Sequence, residues 1–384
     1  MRRLFGIMFC FHLILITVLV IVLTVQGLRP NNRGHHFHPT KWYPPLLTST
    51  ACAAILSLVW QSLIGCNPYK AFKAAFWLSP LLTFAVAVLL LTVSSSASLA
   101  AGIAALLCSV VMALYGCWAS PRFEYGIQVL TVSGASPPPK SNSIISLSML
   151  VAIVYSCFLV TGIGGARAKG TKTDALFISI ILISLVWTMQ VIRGTILVSI
   201  SRVKFMSLAF GIDINTHMAF RDTFKHLMGS ICIGSFLVPI LGVIWGSARA
   251  ITLVAGDTDE FLFSCANCYA GLASTLVMYA NRWGFVHVGV YNKGFVQASM
   301  DVWDMFRRMG LESLVDSDLT GSFCFLSGVA VGAISGLVSG SWALAVQKSY
   351  ATELSLYAFF IGYFMVTRSS ATISNRNIHC SFRF

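Results

Sequence analysis

Acidic side chains are scarce: only 13 of the 384 residues are Asp or Glu, and charged residues of both signs make up 10% of the chain. A soluble domain carries about 25% charged residues, so a water-exposed globule is excluded. The few carboxylates fall in predicted loops or near the ends of apolar runs. An ionisable group in the middle of a membrane is costly and is kept for proton or ion work, so a carboxylate-based proton coupler is not expected. Also missing are a Gly-rich phosphate loop ending in Lys-Ser/Thr, a Gly-x-Ser-x-Gly elbow and a His-Glu-x-x-His helix. ATPase, lipase and metalloprotease readings therefore have no support, and no enzymatic activity is expected.

Cysteine is present in number, 11 in all, but not in pattern. Cys52, Cys108, Cys157, Cys232 and Cys324 sit inside apolar runs, where Cys acts as a small hydrophobe, and no disulfide framework is expected. Cys265 and Cys268 form a C-x-x-C with no second pair at zinc spacing. His35, His36 and His38 have no carboxylate or thiol near them in sequence and read as a solvated loop. No metal or other cofactor is expected. The 26 Lys and Arg give a net charge of +13, yet they are scattered singly between apolar runs. That distribution speaks for topogenic loop charge and against nucleic acid as a partner.

What the chain does have is apolar length: 57% hydrophobic residues and a mean hydropathy of +0.79. It reads as an all-α, polytopic transmembrane helical bundle of about ten spans. The first run, Leu4 to Val25, is long enough to cross about 30 Å of hydrocarbon. Further runs follow at Leu46–Ile64, Phe72–Val93, Leu99–Trp118, Ile144–Ile163, Asp174–Gln190, Gly229–Trp245, Phe261–Tyr279, Phe323–Val346 and Leu354–Thr367. Four spans fill residues 1–118, and a cytoplasmic loop with the Pro137–Pro139 run occupies 119–143. A C-terminal half covers 144–367, and an atypical polar tail fills 368–384. The stretch Arg193–Lys225 reads as an interfacial helix, and an even number of spans with the loop charges places both termini on the cytoplasmic side. Gly328, Gly332, Gly336 and Gly340 mark one helix face for close packing.

Acidic, amide, aromatic and glycine residues crowd together between Asp257 and Phe306. Asn281, Phe285, Gly289, Tyr291, Phe295 and Ser299 recur at a spacing of about four, which predicts one amphipathic helix with these residues on a stripe. Lys293, Asp301, Asp304, Arg307 and Arg308 would fall on its other face.

Asn281, Gly284, Phe285, Gly289, Val290, Phe295, Ala298 and Ser299 match a motif by which the chain resembles the choline transporter-like family, with its closest look to the plant members. The resemblance extends to the Gly-Ser-x-x-x-Gly-Ser run at Gly229–Ser235 and to Trp187 and Gln190. It ends after Met365, where the polar tail suggests a truncated or alternatively spliced product. The resemblance implies transport of choline or a related small organic cation across a lipid bilayer, in the plasma membrane. The alternative is a non-transporting scaffold or trafficking protein that keeps the fold.

A quaternary ammonium cannot donate a hydrogen bond, so aromatic faces are the natural surface for it. Candidates for the substrate path are Trp187 and Gln190, which share a helix face, with Trp245, Asn267, Tyr269, Asn281, Trp283 and Tyr291. Passage is expected to be facilitated, driven by the membrane potential. Oligomeric state is not legible in the sequence.

Overall fold

A backbone inside hydrocarbon has no water to satisfy its N–H and C=O groups, and helices meet that demand within one segment. The computed structural model describes residues 2–28, 39–134, 141–169, 173–212, 215–255, 268–269, 271–273, 275–276, 278–310 and 319–369. Thirteen bounded helices and no strand occur among the described residues. They are α1 (Arg2–Leu28), α2 (Pro39–Cys66), α3 (Pro68–Val93), α4 (Ser96–Ala119), α5 (Phe123–Gly134), α6 (Ser141–Lys169) and α7 (Asp174–Phe210). After these come α8 (Thr216–His226), α9 (Met228–Ala255), α10 (Gly284–Tyr291), α11 (Phe295–Arg308), α12 (Thr320–Val346) and α13 (Ala351–Ser369).

Eight of these helices, α1, α2, α3, α4, α6, α7, α9 and α12, are long and apolar enough to cross a membrane. The fold is an all-α polytopic membrane bundle. Of the other two expected spans, Phe261–Tyr279 lies largely outside the described residues, and Leu354–Thr367 falls within the 19-residue α13. Large apolar side chains stay exposed along the spanning helices, among them Ile14, Val111, Leu114, Ile183 and Val243. Such a surface suits lipid and not water.

Local chemistry sets several helix ends. Ser95 caps α4, its Oγ accepting from the Ser98 N–H at 3.1 Å while the Ser98 Oγ accepts from the Ser95 N–H at 2.9 Å, which satisfies two orphan donors at once. Pro68 opens α3 where no intrahelical donor is lost, and Ser94 closes it in the left-handed region at φ 63°. Of the expected interfacial helix Arg193–Lys225, the part to Phe210 is instead the continuation of α7, which runs unbroken over 37 residues. Its polar residues need no water, since Thr195, Ser199 and Ser201 each donate to the carbonyl four residues back at 2.7 to 2.8 Å. The separate helix α8 follows, held at its start by the Asn215 side chain accepting from the His217 N–H.

The chain divides into two compact units. One comprises Met1–Phe11, Pro138–Ser141 and Gln190–Ser317, and so holds the later part of α7 with α8 to α11. The other comprises His12–Pro137, Asn142–Met189 and Asp318–Phe384. In this second unit Phe72 of α3 stacks on Phe323 of α12, 5.2 Å between centroids, and meets Phe123 of α5 edge-on. The α12 glycines face α13. A Cβ on Gly332 would lie 2.8 Å from the Phe359 carbonyl oxygen, and one on Gly328 would lie 2.7 Å from the Thr367 methyl. Between helices in lipid, packing has to supply what the hydrophobic effect supplies in water.

Gly332→Ala should therefore force α12 and α13 apart and cost about 1 to 3 kcal/mol of overpacking. Gly242→Ala, whose Cβ meets nothing within 4 Å, should leave the melting temperature in detergent unchanged or slightly raised. Equal effects of the two substitutions would contradict the close-packing assignment.

Candidate functional site

In the first unit, the predicted single amphipathic helix over 281–299 is two helices folded on each other. Helix α10 ends at Asn292, which takes the left-handed conformation at φ 56° while its N–H donates to the Val288 carbonyl at 3.1 Å. Gly294 is extended and starts α11. Asn tolerates the left-handed region better than most residues, and that single residue breaks the stripe. Residues expected side by side on one helix instead face each other across a hairpin. The Phe285 and Phe295 rings lie 4.8 Å apart, and Gly284 leaves room for the Ser299 side chain. Helix α11 keeps a clean inner face of Phe295, Ala298, Ser299, Val302 and Phe306.

Asn281 pins this hairpin. Its Nδ2 donates to the Ser299 carbonyl at 3.0 Å, and its Oδ1 accepts from the Gly284 N–H at 2.9 Å. Both bonds are buried, so the amide is committed to backbone. Trp283, just before α10, packs edge-on against Phe306 at 5.8 Å, with the Arg282 guanidinium 5.5 Å from its ring centre. Tyr291, at the end of α10, is about half exposed and lies 4.9 Å from the His287 ring and 6.1 Å from Phe205. Lys293 pairs with Asp301 beside it.

Helices α7 and α9 close on the hairpin through glycines. A Cβ on Gly234 of α9 would strike the Phe295 ring at 2.5 Å, and one on Gly289 of α10 would lie 2.6 Å from the Val198 carbonyl oxygen. Gly194 of α7 leaves space for Ile231 and Phe285. The Ser235 hydroxyl donates to the Gln190 carbonyl at 3.1 Å, so Gln190 is engaged through its backbone. Tyr269 shares a hydroxyl-to-hydroxyl hydrogen bond with Ser247 of α9 at 3.0 Å. Trp245 lies two residues before Ser247, about 200° round the helix, and does not share that face. Asn267, Cys265 and the acidic residues at 257–260 lie outside the described residues.

Trp187 belongs to the second unit. Its indole lies 4.8 Å from the His12 ring of α1, and the His12 Nε2 bonds the Ser184 Oγ at 3.0 Å. Ser184 also bonds the Tyr155 hydroxyl of α6 at 2.7 Å, and Thr188 donates to Tyr155 at 3.1 Å. A chain of four polar side chains thus joins α1, α6 and α7 beside Trp187.

The model of a family described as plasma-membrane choline transporter matches residues 47–375 of the chain. The chain belongs to that family. Similar proteins include Protein PNS1 of Mycosarcoma maydis, 22% identical over 236 residues, which is 56% of this chain and 43% of that protein. A CTL-like protein of Dictyostelium discoideum is 21% identical over 239 residues, 59% of this chain and 42% of that one. Protein pns1 of Aspergillus fumigatus is 25% identical over 158 residues, 38% and 29% of the two. The matched stretches span less than half the length of these relatives. The family match also runs past Met365, the point at which resemblance ends to the eye.

Several of the residues that carry the resemblance to the choline transporter family lie where α7, α9 and the hairpin touch: Gly234 and Ser235 on α9, and Asn281, Gly284, Phe285, Gly289, Phe295 and Ser299 in the hairpin. Two residues that sequence reasoning leaves out now stand beside the candidates, His12 and His287. The signal for both is a single histidine inside an otherwise apolar run. Among the described residues, no group of three His, Cys, Asp or Glu is close enough to hold a metal, and the nine cysteines there are free thiols.

Two outcomes follow from this geometry. Asn281→Ala removes both side-chain bonds, while the Gly284 N–H keeps its 3.1 Å bond to the residue-281 carbonyl, and should cost about 1 to 3 kcal/mol of stability; an unchanged unfolding midpoint would contradict the pin. Burial pushes the His287 imidazole down from 6.5 to about 4, with Asp301 drawing it up and Lys293 drawing it down. The unfolded chain then takes up a proton that the folded one refuses, so stability conferred by the neutral ring is present above about pH 6.5 and lost as pH falls towards 4. The drop in melting temperature between about pH 7 and about pH 5 should accordingly be smaller in His287→Leu than in the wild type, and identical drops would contradict the assignment.

Proposed function

We propose that this protein carries a small organic cation of the choline class across a membrane, and that the plasma membrane is where it acts. The observation that carries this reading is the family match across residues 47–375. The placement of charge supports it. The described carboxylates Glu124, Asp174, Asp222, Asp301, Asp304 and Glu353 lie at helix starts or on the short helices α5, α8 and α11. A quaternary ammonium needs no buried acid, because aromatic faces stabilise it by about 0.5 to 2 kcal/mol each when desolvated. Half-buried Trp187 and exposed Tyr291 offer such faces. With no described carboxylate in mid-span to carry a coupled proton or ion, passage is facilitated and follows the cation's own electrochemical gradient.

The purified full chain reconstituted in liposomes should take up radiolabelled choline above empty liposomes. Trp187→Ala should lower that uptake several-fold at equal amounts of reconstituted protein, and Trp187→Phe should be milder. Wild-type uptake no greater than that of empty liposomes would favour a scaffold or trafficking protein that keeps the fold. Full uptake in Trp187→Ala would remove that residue from the path.

A further inference from the structure

The α10–α11 hairpin buries the Trp283 Nε1, the Ser299 Oγ and both ring nitrogens of His287 without a hydrogen-bond partner, and among the described residues only His287 strands two such atoms. His287 sits on α10 between Val286 and Val288, is 6% exposed, and has no hydrogen-bond partner for either ring nitrogen among the described residues. An apolar side chain would fill the same place without stranding two polar atoms, so a residue that strands both of its ring nitrogens calls for a role. Tyr291, one turn further on, turns its ring to the imidazole at 65° and 4.9 Å. The charges acting on the ring are the paired Asp301 and Lys293, which oppose each other.

A neutral imidazole offers one N–H donor and one bare nitrogen acceptor. An alcohol group offers the same complement, one donor and an acceptor oxygen, so the two can pair in either sense as a molecule moves past. A protonated ring or a lysine at this place would repel a cationic ligand, and a carboxylate would hold it too tightly. A neutral histidine does neither. The half-exposed Tyr291 ring beside it is backed by Phe205 and has the Lys293 ammonium, paired with Asp301, 5.9 Å from its centre; it already receives a cation and gives a face for the cationic end of the same molecule.

We propose that His287 receives the hydroxyl group of a hydroxyl-bearing quaternary ammonium, and so selects such cations over analogues that lack the hydroxyl. The proposal rests on the transport reading above and adds the chemical feature by which the substrate is chosen. Tyr291 is the accompanying cation-facing ring. Asn281 serves by holding the hairpin and does not touch the ligand, its amide being committed to Ser299 and Gly284.

The test compares choline with propyltrimethylammonium, which replaces the hydroxyl by a methyl group, in uptake by liposomes containing the full chain. Losing one matched hydrogen bond in a site built for it is worth about 1 to 1.5 kcal/mol, so the wild type should prefer choline by about tenfold. His287→Leu should bring the preference to within about twofold, chiefly by losing choline uptake, whereas His287→Gln, which keeps a donor and an acceptor, should retain most of it. The readout is a ratio within one preparation, so a lower yield of folded variant does not alter it. A preference unchanged in His287→Leu, or a wild type that takes up both cations equally, overturns this proposal while leaving transport intact. A wild type that takes up neither overturns the transport reading and this proposal with it.

Discussion

A polar group placed in hydrocarbon finds no water and has to be paired inside the protein or kept at the edge, and this constraint orders the whole chain. The hydroxyls of Thr195, Ser199 and Ser201 turn back onto their own helix. The described carboxylates stay at helix starts or on short helices, and one of them, Glu353, meets the Arg167 guanidinium at 3.0 Å. Where a polar side chain is buried deep in the first unit, as Asn281 is, it spends both ends of its amide on backbone. His287 departs from the pattern at both ring nitrogens, the one residue among those described that does so twice.

The same solvent removes most of the usual driving force between helices, since lipid tails are as apolar as Leu. Close backbone approach has to take its place. Hence the positions where a Cβ would collide: Gly328 and Gly332 on α12, Gly234 on α9, Gly289 on α10. In the first unit these close approaches also fix where aromatic rings sit, because Gly234 admits Phe295 and Gly194 admits Phe285. Packing and site geometry are thus set by the same few residues, which is why the family motif is made mostly of glycines and phenylalanines and holds so few groups with chemistry of their own.

The bundle was legible because each span is a long run of one character, and length alone separates a crossing helix from a buried soluble one. The glycine face of α12 was legible too, since a four-residue spacing of small residues has one physical use. The hairpin was not. From Asn281 to Ser299 the apolar spacing is helical throughout, and the turn rests on a single Asn in the left-handed region followed by Gly294, a pair that also occurs inside helices. The length of α7 was hidden for a related reason: Ser199, Ser201 and Lys204 look like an interface in one dimension, yet all three are buried. His12 and His287 carry little signal in one dimension, each being a lone histidine in an apolar run with no charged neighbour. Of the aromatic candidates, the fold draws Trp283 and Tyr291 into the hairpin region and sets Trp187 beside a polar chain from His12 to Thr188.

The proposed passage is that of a cation on its own gradient, with no coupled ion. At 100 mV the membrane potential contributes about 2.3 kcal/mol per charge, equivalent to roughly a 50-fold accumulation. The direct measurement is radiolabelled choline accumulation in liposomes bearing the full chain, with equal choline on both sides at the start and a potassium-diffusion potential, inside negative, imposed by valinomycin. The account predicts concentrative uptake that tracks the imposed potential and is indifferent to sodium and pH gradients. Concentrative uptake at zero potential when only a pH gradient is supplied would contradict it and transfer the driving role to a titrating side chain.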